Sequence, residues 1–243
     1  MPAELASTVE IACDESGSEG EKLVGGNTAV FAHASVRIDA DAADACVAEL
    51  RSRIRSPAVE YKANHLLRQK HRATLVWFLG PSGPIHGRAH VYLVEKAYFL
   101  VRSLAHRIQP QHANDRLSTD YAIAPTLDPL LPALVRAVEH WSAGGRSVSI
   151  THDEQSTITE ALIVQLKRTW PVLTHVRLVD SMADARVQVA DFLAGVARRV
   201  AEDALTGEVD AELATLLRPY VDPESVWGDS SSWTALKPRD HGE

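Results

Sequence analysis

The spacing of apolar and polar residues along the chain predicts an α/β protein. Short runs of β-branched and apolar residues are typical of strands, and they occur at 8–13, 28–38, 88–94, 146–151 and 176–179. Apolar residues at helical spacing favour helices, and these cover 42–54, 64–79, 96–106, 127–141, 157–170, 185–203 and 208–218. Because two strands precede an alternation of strands and helices, we expect a mixed sheet flanked by helices.

The domain organisation follows from the absence of repeats and of any obvious linker. We expect a single domain over 1–222, in which the polar stretch 109–126 has no assigned element. The C-terminal tail, 223–243, is loop-like in composition. We expect Trp227 and Trp233 to hold this tail against the domain.

Composition narrows the class of protein. With 243 residues, 45% hydrophobic and 23% charged, the chain has enough apolar sequence for a packed core, which excludes wholesale disorder. No stretch approaches ~18 consecutive apolar residues, and the N-terminus lacks a signal-peptide pattern. Cys13 and Cys46 are too few for a disulfide framework or a four-thiolate zinc site. We therefore expect a cytoplasmic protein with two buried thiols and no membrane segment.

The charge balance bears on the partners. There are 25 Lys and Arg residues against 32 Asp and Glu residues, a net charge of −7, which argues against non-specific coating of duplex DNA. However, seven basic residues and only one acid, Glu60, lie between Arg51 and Arg72. This basic run is either a solvated helix face or a surface that faces phosphate.

Carboxylates directly follow three of the predicted strands. Asp14 comes after the first strand, Asp153 after a later one and Asp180 after the last. Ligands of open α/β sheets gather where strands end, so we expect some of these carboxylates to converge.

A fourth acid, Asp191, lies within an apolar helix. Burying an aspartate there is expensive unless it is paired or bound to a metal. Gln188 and Asp184 share its helical stripe at spacings of three and seven residues. The alternative is a partly exposed helix with one acid on its solvated edge.

Grouped carboxylates indicate a site for hard divalent cations, since like charges held close together need a cation. Two Mg²⁺ or Mn²⁺ ions at such a site can activate water and stabilise a leaving oxygen in phosphodiester cleavage. The sequence has no HExxH zinc motif, no GxxxxGK[ST] loop and no GxGxxG after a strand. His152, beside Asp153, is either a general base or a packed histidine.

Three segments in a fixed order resemble a known family. They are DESG at 14–17, VDS at 179–181 and QVADFLAG at 188–195. Together, over about residues 8–202, they resemble the bacterial family of domains of unknown function numbered thirty-eight hundred. The resemblance implies a ribonuclease-H-like fold.

The resemblance also implies a metal-dependent nuclease-like site. Asp14 matches the acid of the first strand and Asp191 that of the last helix, and Asp153 lies where an acid at the end of a strand could serve. Our candidate for the fourth acid is Glu60, because Glu60-Tyr61-Lys62 resembles a Glu-x-Lys of family members. The rival candidates are Glu15, Glu95 and Glu154.

The leading hypothesis is a Mg²⁺- or Mn²⁺-dependent nuclease acting on nucleic acid or a nucleotide. Lys62 would neutralise the scissile phosphate, and Gln188 would orient a ligand or a metal-bound water. With these two residues, Arg68, Lys70 and Arg72 are the expected substrate contacts.

The alternative is a catalytically inactive, ribonuclease-H-like binding subunit of a defence or regulatory complex. In that case Asp14 and Asp191 would be paired by arginines or backbone donors, and an exposed apolar patch would mark a protein partner. A weaker enzymatic alternative is phosphoryl transfer on an actin-like variant of the fold. The oligomeric state stays open.

Overall fold

The computed structural model describes residues 8–18, 26–55, 63–108 and 127–238. Two of the predicted site residues, Glu60 and Lys62, lie outside these ranges, as does the unassigned stretch 109–126. No described helix is both long enough and apolar enough to cross a bilayer.

Within the described residues, five strands form one mixed sheet. They are β1 (Val9–Ser16), β2 (Val30–Val36), β3 (Ala89–Glu95), β4 (Val148–Asp153) and β5 (Leu173–Val179). Their order across the sheet is β3-β2-β1-β4-β5. Strand β2 is antiparallel to both of its neighbours, whereas β1, β4 and β5 are parallel. The α/β class and the mixed sheet are therefore confirmed.

Helices cover both faces of the sheet. They are α1 (Ala40–Ile54), α2 (Ala63–Leu66), α3 (Arg72–Leu79), α4 (Lys96–Ile108), α5 (Leu130–Trp141), α6 (Glu160–Thr169), α7 (Ala185–Thr206), α8 (Ala211–Leu217) and α9 (Ser230–Leu236). The apolar residues of α1–α3 and α7–α9 pack in one core cluster, with α7 directly on β1 and β2. Those of α4–α6 pack in a second cluster on the opposite face.

The central helix α7 begins and ends at strong caps. The Asp184 side chain accepts a hydrogen bond from the Arg186 N–H at its start, and Gly207 takes a left-handed conformation at its end. Between them, Phe192, Leu193 and Val196 are fully buried. This burial explains why 22 residues stay helical over the sheet.

The prediction of one continuous helix over 64–79 is wrong. Helix α2 ends at Leu66, Arg68 has an extended backbone, and a 3₁₀ turn leads into α3. Leu66 and Leu75 are both buried. In a continuous helix these two residues, nine positions apart, would lie on opposite faces, so the break allows both to reach the core.

The prediction of a loop-like tail is also wrong in part. Residues 230–236 form α9, because the Asp229 side chain accepts a hydrogen bond from the Ser232 N–H and caps the helix. Trp227 and Trp233 are partly buried against the core, as expected, with ring centroids 6.0 Å apart. Both predicted thiols, Cys13 and Cys46, are buried and unbonded.

Candidate active site

The carboxyl ends of β1 and β4 bring two of the predicted acids together. Parallel pairing aligns Cys13 with His152, which places Asp14 beside Asp153 on the next residue of each strand. Because side chains alternate along a strand, Asp14 shares the face of Ala12, which packs in the cluster containing α7. Both acids therefore lie on the sheet face that α7 covers.

Helix α7 adds the third acid, Asp191. Its side chain is half-buried among apolar neighbours, and its charge acts on Asp14. One turn later, a Cβ added at Gly195 would stand 2.2 Å from the Ala63 Cβ. Only glycine therefore allows α2 to approach α7 so closely. Through this contact Ala63, which directly follows Lys62 in the sequence, lies one helical turn from Asp191.

Asp14 is the most strongly perturbed acid of this group. The side chain is only 4% exposed. Burial raises its pKa from 3.8 to about 9, and the carboxylates of Glu15, Asp191 and Asp153 add to the rise. A hydrogen bond from the Glu15 N–H, 2.7 Å long, acts in the opposite direction. Among the described residues, no lysine or arginine forms an ion pair with Asp14.

The other acids near the strand ends have structural roles. The exposed Asp180 accepts a hydrogen bond from the Met182 N–H and caps a 3₁₀ turn. Asp184 caps α7 and forms an ion pair with Arg186 at 2.7 Å, which lowers its pKa. Of the three residues on the predicted helical stripe, Asp184 is therefore paired with an arginine. Gln188, three residues before Asp191, is half-buried.

The basic candidates lie in the segment around the break between α2 and α3. Arg68 and Lys70 are exposed. Arg72 forms ion pairs with Asp210 at 3.0 Å and with Glu212 at 2.6 Å, so part of its charge is neutralised. Arg68 and Arg72 line a pocket beside α7.

The three rival acids lie in other environments. Glu15 points to the sheet face opposite Asp14, because adjacent strand residues alternate. Glu95 accepts hydrogen bonds from the backbone N–H groups of Gly228 and Asp229, and so anchors the tail. Glu154 is exposed beyond the end of β4.

A polar cluster that the sequence reasoning missed lies behind the sheet, around Glu15. Gln155 Nε2 donates a hydrogen bond to Glu15, and His152 Nε2 is 3.8 Å from Glu15 Oε2. Burial raises the pKa of Glu15 to about 7. His33 stacks on His152 with centroids 5.4 Å apart, and burial lowers the pKa of both rings. The alternation of side chains along the strands is the one sequence signal that could have located this cluster. Of the two alternatives for His152, its burial and lowered pKa favour a packed, neutral histidine.

The carboxylates converge without forming a compact ligand cage. Across residues 8–18, 26–55, 63–108 and 127–238, no three His, Cys, Asp or Glu side chains form a group that could hold a metal ion. No protein-family model matches the chain, and no curated protein is significantly similar to it. The family resemblance therefore stays a prediction.

Proposed function

We propose that the protein is a divalent-metal-dependent nuclease of ribonuclease-H-like fold, which hydrolyses phosphodiester bonds at the carboxyl ends of β1 and β4. The observation that carries the proposal is the burial of Asp14 beside Asp153 and Asp191. No lysine or arginine in the described part of the chain forms an ion pair with Asp14. Acids on the first strand, on an adjacent parallel strand and on a long covering helix also agree with the pattern that the sequence resemblance implies.

The donor set suits Mg²⁺ or Mn²⁺ in its chemistry, because aspartate oxygens are the hard ligands that these cations prefer. Asp14, Asp153 and Asp191 would hold the cation, together with Glu60 as the predicted fourth acid. When bound, such a cation supplies an activated water and neutralises charge on the leaving oxygen.

The chain's own residues have distinct parts in this proposal. Asp14 is protonated at neutral pH in the metal-free protein, so it must release its proton to act as a ligand. Gln188 would orient a ligand from α7, and Lys62 would neutralise the scissile phosphate.

Calorimetric titration of the metal-free protein with Mn²⁺ tests the proposal. The wild type should bind Mn²⁺ and release a proton, which is detected as a binding heat that depends on the ionisation enthalpy of the buffer. Asp14→Asn should lose this binding, whereas Asp44→Asn, an exposed aspartate on α1, should retain it. Mn²⁺-dependent cleavage of single-stranded and duplex DNA and RNA should be lost in Asp14→Asn and retained in Asp44→Asn.

A second candidate function is the catalytically inactive binding subunit. The lack of a three-ligand group among the described residues favours it. It predicts that neither the wild type nor Asp14→Asn binds Mn²⁺ up to millimolar concentrations. The same titration therefore separates the two candidates.

A further inference from the structure

A pocket of about 580 Å³ lies between α7 and residues of α2, α3 and α8. Four arginines and two aspartates contribute its charged lining: Arg68, Arg72, Arg198, Arg199, Asp203 and Asp210. We call it the arginine pocket. Its lining has two more positive than negative charges, in a chain whose net charge is −7.

The arginine pocket is joined to the proposed active site through both β1 and α7. Arg198 follows Asp191 by seven residues, which is two helical turns, so both lie on the same face of α7. The Arg198 Nε donates a hydrogen bond of 3.0 Å to the Ser16 hydroxyl. Ser16 lies two residues after Asp14 on the same face of β1. The rise along α7 from Asp191 to Arg198 is about 10 Å.

Ion pairs hold three of the four guanidinium groups in place. Arg72 pairs with Asp210, Arg199 with Asp203 at 2.8 Å, and Arg198 with Glu202. Such pairing orients a side chain that would otherwise lose rotamer entropy when it binds a ligand.

Arg68 differs from the other three, because its side chain is exposed and forms no ion pair with any described residue. Positive charges are grouped here: after burial, which is the larger cause, the charges of Lys70 and Arg68 lower the pKa of His71. A planar guanidinium at a cationic pocket is suited to bidentate binding of a phosphate.

We propose that the arginine pocket binds a phosphate of the nucleic-acid substrate away from the bond that is cleaved, and that Arg68 is the main contact of this phosphate. This inference rests on the proposed function and identifies where the substrate strand leaves the carboxylates. The bound group is either an internal phosphodiester or the terminal phosphate of a short strand.

Fluorescence anisotropy on the full chain tests the proposal. The probes are labelled single-stranded DNA and RNA of about 16 nucleotides, each with and without a 5′-phosphate. All proteins carry Asp14→Asn to prevent cleavage. The test variant adds Arg68→Gln, and the control adds Arg37→Gln. Arg37 is also exposed, and the pairing of Val36 with Ala12 places it towards the opposite end of β1 from Asp14.

Arg68→Gln should weaken binding about tenfold, which corresponds to one charge-assisted hydrogen bond. It should also reduce the slope of log K against log salt concentration by about one. Arg37→Gln removes the same charge and should leave both quantities nearly unchanged. If only 5′-phosphorylated probes show the Arg68 effect, the pocket takes a terminal phosphate; if all probes show it, an internal one.

Equal effects of Arg68→Gln and Arg37→Gln would overturn the assignment of the arginine pocket while leaving the nuclease proposal intact. If neither the series nor the wild type with Mn²⁺ binds any probe at low salt, both proposals fail. The two failures are therefore distinguishable in one experiment.

Discussion

Replacing Asp14 with asparagine should make the metal-free protein more stable at neutral pH. The carboxylate is 4% exposed, and burial beside other acids raises its pKa to about 9. Its stabilising contribution, present when it is protonated, is complete below the unfolded pKa of 3.8 and is lost as the pH rises towards 9. Asparagine keeps an oxygen that can accept the Glu15 N–H hydrogen bond and cannot ionise.

The size of the effect follows from the two pKa values. At pH 7, about 3 pH units above 3.8, the Asp14 carboxyl of the unfolded chain is ionised, while that of the folded chain still holds its proton. Ionisation therefore stabilises only the unfolded state over these 3 units. At 1.36 kcal/mol per unit, this lowers the free energy of unfolding by about 4 kcal/mol. Asp14→Asn removes that loss, so its advantage should be about 4 kcal/mol at most at pH 7 and should vanish near pH 4.

Chemical denaturation in the presence of a chelator measures this difference at both pH values. Asp44→Asn on the exposed surface of α1 is the matched control and should change little at either pH. If Asp14→Asn is less stable than the wild type at pH 7, or if its gain is the same at pH 4, then Asp14 is not a buried acid among like charges. Millimolar Mn²⁺ should stabilise only the wild type and reduce the advantage of the variant.

Two further substitutions test the packing around the site and behind the sheet. Asp222 is 1% exposed; although burial raises its pKa, hydrogen bonds from His90 and Arg136 lower it to about 2. Asp222→Asn should cost about 3–5 kcal/mol, and the wild type should lose stability as the pH falls from about 4 to about 2, both measured by urea unfolding. Gly195→Ala should cost about 1–3 kcal/mol in thermal unfolding, because its Cβ would meet that of Ala63. An unchanged melting temperature would contradict the close approach.

Much of the fold was predictable from local pattern. β-Branched runs placed all five strands, and apolar spacing located the large helices to within a few residues. The break between α2 and α3 was not predictable, because the basic segment around Arg68 has no proline or glycine. It depends on Leu66 and Leu75 packing into the same core.

The candidate site divides in the same way. The position of Asp14 and Asp153 directly after predicted strands led us to expect that they converge, and an acid in an apolar helix singled out Asp191. The sequence did not separate these acids from Asp180 and Asp184, which instead accept hydrogen bonds from backbone N–H groups two residues later.

The sequence by itself determined which residues form strands and helices, because secondary structure depends on neighbours within a few positions. It also located the acids that follow strands. The tertiary structure decided that Glu15 faces a buried histidine cluster while Asp14 faces α7, and that Arg198 joins Arg68 at one pocket. Such pairings join residues more than a hundred positions apart. They depend on which sheet face each helix covers, and that choice is made by burial of the whole core rather than by any local segment.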